Sequence, residues 1–221
     1  MSDVKLPVPL KFRRGSLREN EAASVASGVK LVEMVQSIRP VDGASILDFG
    51  CGVKLAQALV EMNSPQTLYV GLDVYREMVE FLQDALSHDA RYRFVTVNFH
   101  NQMYNRDGED MAFGDTMPIE KRDFDLMTMF SVITHMEPDD TRATLRRLRT
   151  HAGTDAHLIF SAFVRDQAQD FIDSDPDRPL LRAFYRREFL DQIIGQSGWS
   201  VESFNRPVAG LIQHHYICRP A

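Results

Sequence analysis

The chain has 221 residues, 44% of them hydrophobic and 25% charged, and a formal net charge of -6. That length and balance suit one globular domain with a full core, and the acidic sign speaks against a nucleic-acid partner, which needs a basic surface. Two cysteines, Cys51 and Cys218, are too few for a disulfide framework or a CxxC metal site. No run approaches the length of a membrane span, and the opening MSDVKLPVPLKFRRGS lacks a signal peptide's apolar stretch, so the expected location is the cytoplasm.

Residues 1 to about 20 are polar and basic around Pro7 and Pro9, and are expected to form an arm or loose cap. Apolar residues at helical spacing (Val25, Val29, Val32, Val35) predict a helix over Glu21–Ile38, stopped by Pro40. An alternation follows. Strands are predicted at Ser45–Phe49, 67–73, 93–97, 124–130 and 157–163, with helices over 53–61, 76–86, 139–149 and 187–194. Arg146, Arg147 and Arg149 are expected on the solvated face of the third of these helices. Residues 164–184, with Asp166, Asp170, Asp173, Asp175 and Asp177, read as a solvated acidic connection or as a wall of the site. Strands over 199–204 and 212–218 have no helix between them and should pair as a hairpin. The expected fold is α/β: a doubly wound sheet, mostly parallel, with an antiparallel C-terminal hairpin strand.

The strongest chemical signal is ILDFGCG at 46–52, on the first strand-to-helix turn. Glycines there let a ligand approach the backbone, and the next helix offers free N–H groups. Asp73, about twenty residues on at the end of the next strand, is placed to accept hydrogen bonds from ribose hydroxyls; alternatively it caps the helix starting near Tyr75. A dinucleotide fingerprint needs a third glycine, and Leu55 stands in its place. Asp48, just before the turn, would repel a phosphate and suits an ammonium group instead. Both facts favour a cationic ligand over NAD.

ILDFGCGVK resembles the first motif, D-x-G-x-G-x-G, of the class I S-adenosylmethionine-dependent methyltransferases, except that Lys54 stands at the last glycine. FDLMTMFSVITHM is similar to the fourth-strand FSVxTHM-type motif of a bacterial small-molecule methyltransferase subgroup, and MYNRDG at 103–108 to a Y-N-x-x-G element of the same relatives. The resemblance implies a Rossmann-like fold, S-adenosylmethionine as cofactor and S-adenosylhomocysteine as product. It implies that Asp48 and Gly50, in one turn with Cys51 and Gly52, lie beside the methionyl amine, and that Asp73 holds the ribose. Lys54 is either a partner for the cofactor's carboxylate or a solvated side chain. Asn98 is a candidate adenine contact or a strand-ending turn residue; Val74, Met78 and Phe99 are candidate adenine walls or plain core. Ser131, a further candidate cofactor contact, and His135 leave the fourth strand at the carboxyl edge, where ligands bind in such sheets. His135 is the candidate general base, or else it caps the next helix or orders the loop.

On this reading residues 1–40 cap the active site and residues 41–221 form the cofactor-binding domain. The loop over 100–120, with Met103, Tyr104, Met111, Phe113 and Met117, is a candidate lid or ordinary packing. His100, His214 and His215 are weaker base candidates, and no histidine pair has metal-ligand spacing. The acceptor is expected to be a small molecule methylated at oxygen or, second, at nitrogen, by a monomer or homodimer without nucleic-acid or membrane partners. A non-catalytic cofactor-binding module is the remaining alternative.

Overall fold

The computed structural model describes residues 4–99, 105, 107–108, 117–166, 169–175, 177–206 and 213–221. The chain forms two compact units, Met1–Thr96 and Val97–Ala221.

In the first unit three short strands, β1 (Ser45–Phe49), β2 (Leu68–Asp73) and β3 (Tyr92–Thr96), pair in parallel with β2 in the middle. Every residue of β1 is buried, which is why SILDF shows no polar alternation. Three helices accompany them: α1 (Glu21–Ile38), α2 (Lys54–Glu61) and α3 (Arg76–Ala85). The α1 boundaries follow from its caps. The Asn20 side chain accepts from the Ala23 amide at 3.0 Å, and Arg39, ahead of Pro40, is already extended.

Helices α1 and α2 pack closely at Gly28. A Cβ there would stand 2.9 Å from the Lys54 carbonyl oxygen and 3.1 Å from the Ala58 Cβ. Gly28→Ala is therefore expected to push the helices apart and to destabilise the protein by ~1–3 kcal/mol, measured by urea unfolding.

The N-terminal arm is not loose. Leu6, Val8 and Phe12 are buried. The Leu6 carbonyl accepts from Gln57 Nε2 at 2.8 Å, and Lys5 bonds to Glu61 through both its amide and its ammonium. The Phe12 ring packs 5.6 Å from Tyr75 and 5.3 Å from Phe81, Lys11 pairs with Glu77, and the Arg14 guanidinium lies 5.8 Å from the Tyr75 ring. The arm's basic residues thus cross α2 and α3 with apolar anchors between them, a spacing too irregular for a periodic signal.

In the second unit, β4 (Phe124–Met129) pairs in parallel with β5 (Ala152–Val164). A 3-10 turn (Ile133–His135) and α4 (Pro138–His151) connect them. Met129 sits opposite Phe160, so β5 runs on past the end of β4 to Val164. That extension pairs with β7 (Ala183–Tyr185), itself antiparallel to β6 (Phe171–Asp173). The acidic connection expected over 164–184 therefore contains a two-stranded ribbon. Its aspartates are engaged locally: Asp173 accepts from the Leu180 amide, Asp175 pairs with Arg178, and Asp170 with Arg186. After α5 (Arg187–Gln196), β8 (Trp199–Asn205) and β9 (His214–Pro220) pair antiparallel, and β9 also pairs antiparallel with β5. The C-terminal hairpin is present as expected. On α4, Arg147 departs from the expected solvated face: it is buried, with its guanidinium 4.9 Å from the Phe99 ring centre. Among the described residues no helix is long and apolar enough to cross a membrane.

Candidate functional site

The turn after β1 turns on two glycines. Gly50 and Gly52 have φ of +67° and +51°, a left-handed conformation that side chains with a Cβ rarely adopt. The Gly50 and Cys51 amides both donate to the Leu72 carbonyl, at 2.7 and 3.0 Å. The Gly52 amide donates to Asp73 Oδ2 at 2.9 Å, while Asp73 Oδ1 accepts from the Tyr75 amide at 3.0 Å. Asp73 is therefore both a helix-proximal cap and the clasp of the glycine turn. Three amides that would cradle a phosphate in a dinucleotide site are already taken up by protein acceptors. Among the described residues, apart from its chain neighbours, no atom lies within 4 Å of where a Cβ on Gly52 would stand, so the backbone there is open to a ligand.

Charge at this turn is negative. Asp48 is buried, and its Oδ2 accepts the Tyr69 hydroxyl at 2.7 Å. Burial first, then the neighbouring Asp73 and Asp48 carboxylates, push the Cys51 thiol well above its ordinary value. The buried thiol is thereby held protonated and unreactive. Burial raises Asp73 above the usual carboxylate range, opposed by the amides of Tyr75, Gly52 and Val74 and by the Arg14 charge.

Lys54, the departure from the glycine motif, begins α2. Its stem lies against Gly28, whose added Cβ would come within 3.1 Å of Lys54 Cγ. The tight approach that a glycine at position 54 would permit is supplied from the other helix. Burial lowers the Lys54 ammonium's pKa, and among the described residues it has no carboxylate partner. Val74 is half-buried and Met78 is buried on α3.

In the second unit, Asn98 is exposed and its Oδ1 accepts from Asn105 Nδ2 at 3.2 Å, while the same Nδ2 bonds to the Phe99 carbonyl at 2.9 Å. Ser131 holds a positive φ of 59°, rare for a residue with a Cβ. Its amide donates to Ser161 Oγ at 2.8 Å, and its hydroxyl lies 3.1 Å from Gln213 Oε1. His135 ends the 3-10 turn with Nδ1 3.0 Å from the Leu180 carbonyl. His214 stacks on Phe204, ring centres 5.0 Å apart, and His215 meets Phe130 edge-on. Burial lowers both histidines, so neither is a ready cation. His100, Met103, Tyr104, Met111 and Phe113 lie outside the described residues.

The sequence-based reading missed Tyr69, Gly28, Gln213 and Arg14. Tyr69 carried a signal, a hydroxyl in an otherwise apolar strand; Gly28 looked like one small residue on a helix. Gln213 and Arg14 gave none.

A model of the family described as methyltransferase domain matches residues 23–203. The chain belongs to that family. Solved structures agree in fold. The chain aligns with the mitomycin 7-O-methyltransferase at 16% identity and a TM-score of 0.61, over 92% of its own length and 56% of that protein's. It aligns with magnesium protoporphyrin IX methyltransferase from Synechocystis, solved with bound SAH, at 17% identity and 0.59, over 95% and 89%. It aligns with an S-adenosylmethionine-dependent methyltransferase from Clostridium acetobutylicum at 12% identity and 0.62, over 93% and 96%. The protein is a class I S-adenosylmethionine-dependent methyltransferase with a Rossmann-like fold. The glycine turn fits that cofactor: an open backbone at Gly52, acids at Asp48 and Asp73, and the cation Lys54 match an amino acid joined to a nucleoside, and the Gly50, Cys51 and Gly52 amides are already engaged by protein acceptors.

Proposed function

We propose that this methyltransferase transfers a methyl group to a small molecule, at oxygen in first place and at nitrogen in second. The mitomycin and magnesium protoporphyrin enzymes, named for small-molecule acceptors, support this reading. The observation that carries the cofactor assignment is the hydrogen-bond allocation at the turn, where Gly50, Cys51 and Gly52 amides go to Leu72 and Asp73. When bound, the cofactor supplies an already activated methyl group on a sulfonium.

Asp73 then accepts from the ribose hydroxyls. Asp48, held by Tyr69, contributes negative charge for the methionyl ammonium beside Gly50, Cys51 and Gly52. Lys54 pairs with the methionyl carboxylate, which restores the charge state that burial disfavours. Val74, Met78, Asn98, Phe99 and Ser131 complete the set of cofactor contacts. Residues 1–40 cap this site, since Phe12 and Arg14 pack on Tyr75, two residues from Asp73. The cap excludes water, and alignment of the acceptor supplies most of the acceleration.

His135 is the general base in this scheme. Leu180's carbonyl can only accept, so the proton resides on Nδ1, and Nε2 keeps the lone pair that takes a hydroxyl proton. His135→Ala is expected to leave S-adenosylhomocysteine affinity unchanged in calorimetry and to lower turnover by at least ~10-fold, the low end for a lost general base. Unchanged turnover would remove His135 from the mechanism.

A further inference from the structure

The second unit carries a cleft of about 540 Å³, lined among others by Arg165, Arg187, Arg206, Phe204 and His214. That volume is in the range of small-molecule pockets, which run from roughly 300 to 1,000 Å³. The cleft opens at the far end of β5, where the extension past β4 delivers Arg165. The β8 end delivers Phe204 and Arg206, the β9 start His214, and α5 its first turn.

Four arginines (165, 186, 187, 206) and two carboxylates (Asp166, Glu188) are in the lining. Arg186 is neutralised by Asp170 and Glu188, at 2.5 and 2.8 Å, and Arg187 reaches Asp191 at 3.6 Å. Among the described residues neither Arg165 nor Arg206 has a carboxylate partner. Both side chains are exposed. Two cations left unpaired beside others repel one another, an arrangement that gains when an anion enters.

The aromatic surroundings add a second feature. The Arg187 guanidinium lies 4.3 Å from the Phe204 ring centre, and His214 stacks on the same ring at an interplanar angle of 7°. The Arg165 guanidinium lies 3.5 Å from the Phe184 ring centre, a cation–π contact. His214 Nδ1 is buried with no hydrogen-bond partner among the described residues.

We propose that this cleft binds the anionic group, phosphate or carboxylate, of a small organic molecule, with Arg165 and Arg206 as its principal ligands and Phe204 as an apolar wall. Planar guanidinium forks match the two oxygens of either group. A free inorganic anion shares that chemistry but makes no use of the ring.

The test follows arginine side-chain and backbone NMR signals of the full chain at constant ionic strength, with inorganic phosphate and phenyl phosphate as probes. Saturable shifts around Arg165 and Arg206 are expected, with phenyl phosphate the tighter. Arg165→Gln with Arg206→Gln should weaken both by at least ~10-fold, as expected for two lost charge-assisted contacts. Arg187→Gln provides a second variant should the double one fold poorly. Shifts that never saturate, or equal binding by the variants, would overturn the proposal; tighter binding of inorganic phosphate would reduce the cleft to a site for a free anion. Titration of the same proteins with S-adenosylhomocysteine separates the two readings, since its failure would remove the cofactor assignment and leave this one standing.

Discussion

Asp73→Ala is expected to raise the dissociation constant for S-adenosylhomocysteine by roughly 30- to 1,000-fold, equivalent to ~2–4 kcal/mol for charge-assisted hydrogen bonds lost to ribose hydroxyls. Calorimetry on folded variant checks it. The loss has a second source, because the same carboxylate holds the Gly52 and Tyr75 amides, and without it Gly52 loses its tie to β2 while Gly50 and Cys51 keep theirs to Leu72.

The acid's raised pKa gives this prediction a pH signature. Cofactor hydroxyls donate to the ionised carboxylate, so affinity should rise with pH through the window above the ordinary carboxylate value and then level off. Stability of the ligand-free protein should move the other way. In that window the folded chain binds more protons at Asp73 than the unfolded one, so stability is lost as pH rises. Asp73→Asn should flatten both profiles. Parallel slopes in affinity and stability would contradict the assignment.

The second large effect concerns the hydrophobic core of the second unit. Trp199, the chain's one tryptophan, is 1% exposed, and its Nε1 donates to the Leu145 carbonyl at 2.9 Å. The indole thereby anchors the start of β8 to α4, with the Arg149 guanidinium 5.8 Å from the ring. Trp199→Ala should cost ~3–5 kcal/mol, the range for a truncated buried aromatic, and leave the Leu145 carbonyl short of a donor. Urea unfolding followed by far-ultraviolet circular dichroism measures it. Trp199→Phe, which keeps most of the ring, should cost clearly less.

How much of this was legible in the sequence depends on how local the cause was. The end of α1 and the start of β1 were readable because Pro40 and the apolar run SILDF act within a few residues. The glycine turn was readable for the same reason: positive φ at positions 50 and 52 demands glycine whatever the rest of the chain does. Strands β6 and β7 were not readable. Each is three residues long, and they exist only because β5 overruns β4 and offers an edge to pair with. That the arm is packed rather than a loose cap was not readable, because Leu6 and Phe12 meet partners fifty or more residues away in sequence. At Lys54 the motif looked defective, and only packing reveals that Gly28 supplies the missing clearance. Arg165 and Arg206 meet through the sheet, forty-one positions apart, and each alone reads as a solvated charge.

Titration calorimetry of the wild-type chain with S-adenosylmethionine, run beside NAD as a control, tests the central claim most directly. One-to-one binding of the sulfonium nucleoside and no heat from the dinucleotide is the predicted result. Saturation by NAD, or no binding of S-adenosylmethionine at high micromolar concentration, would contradict it.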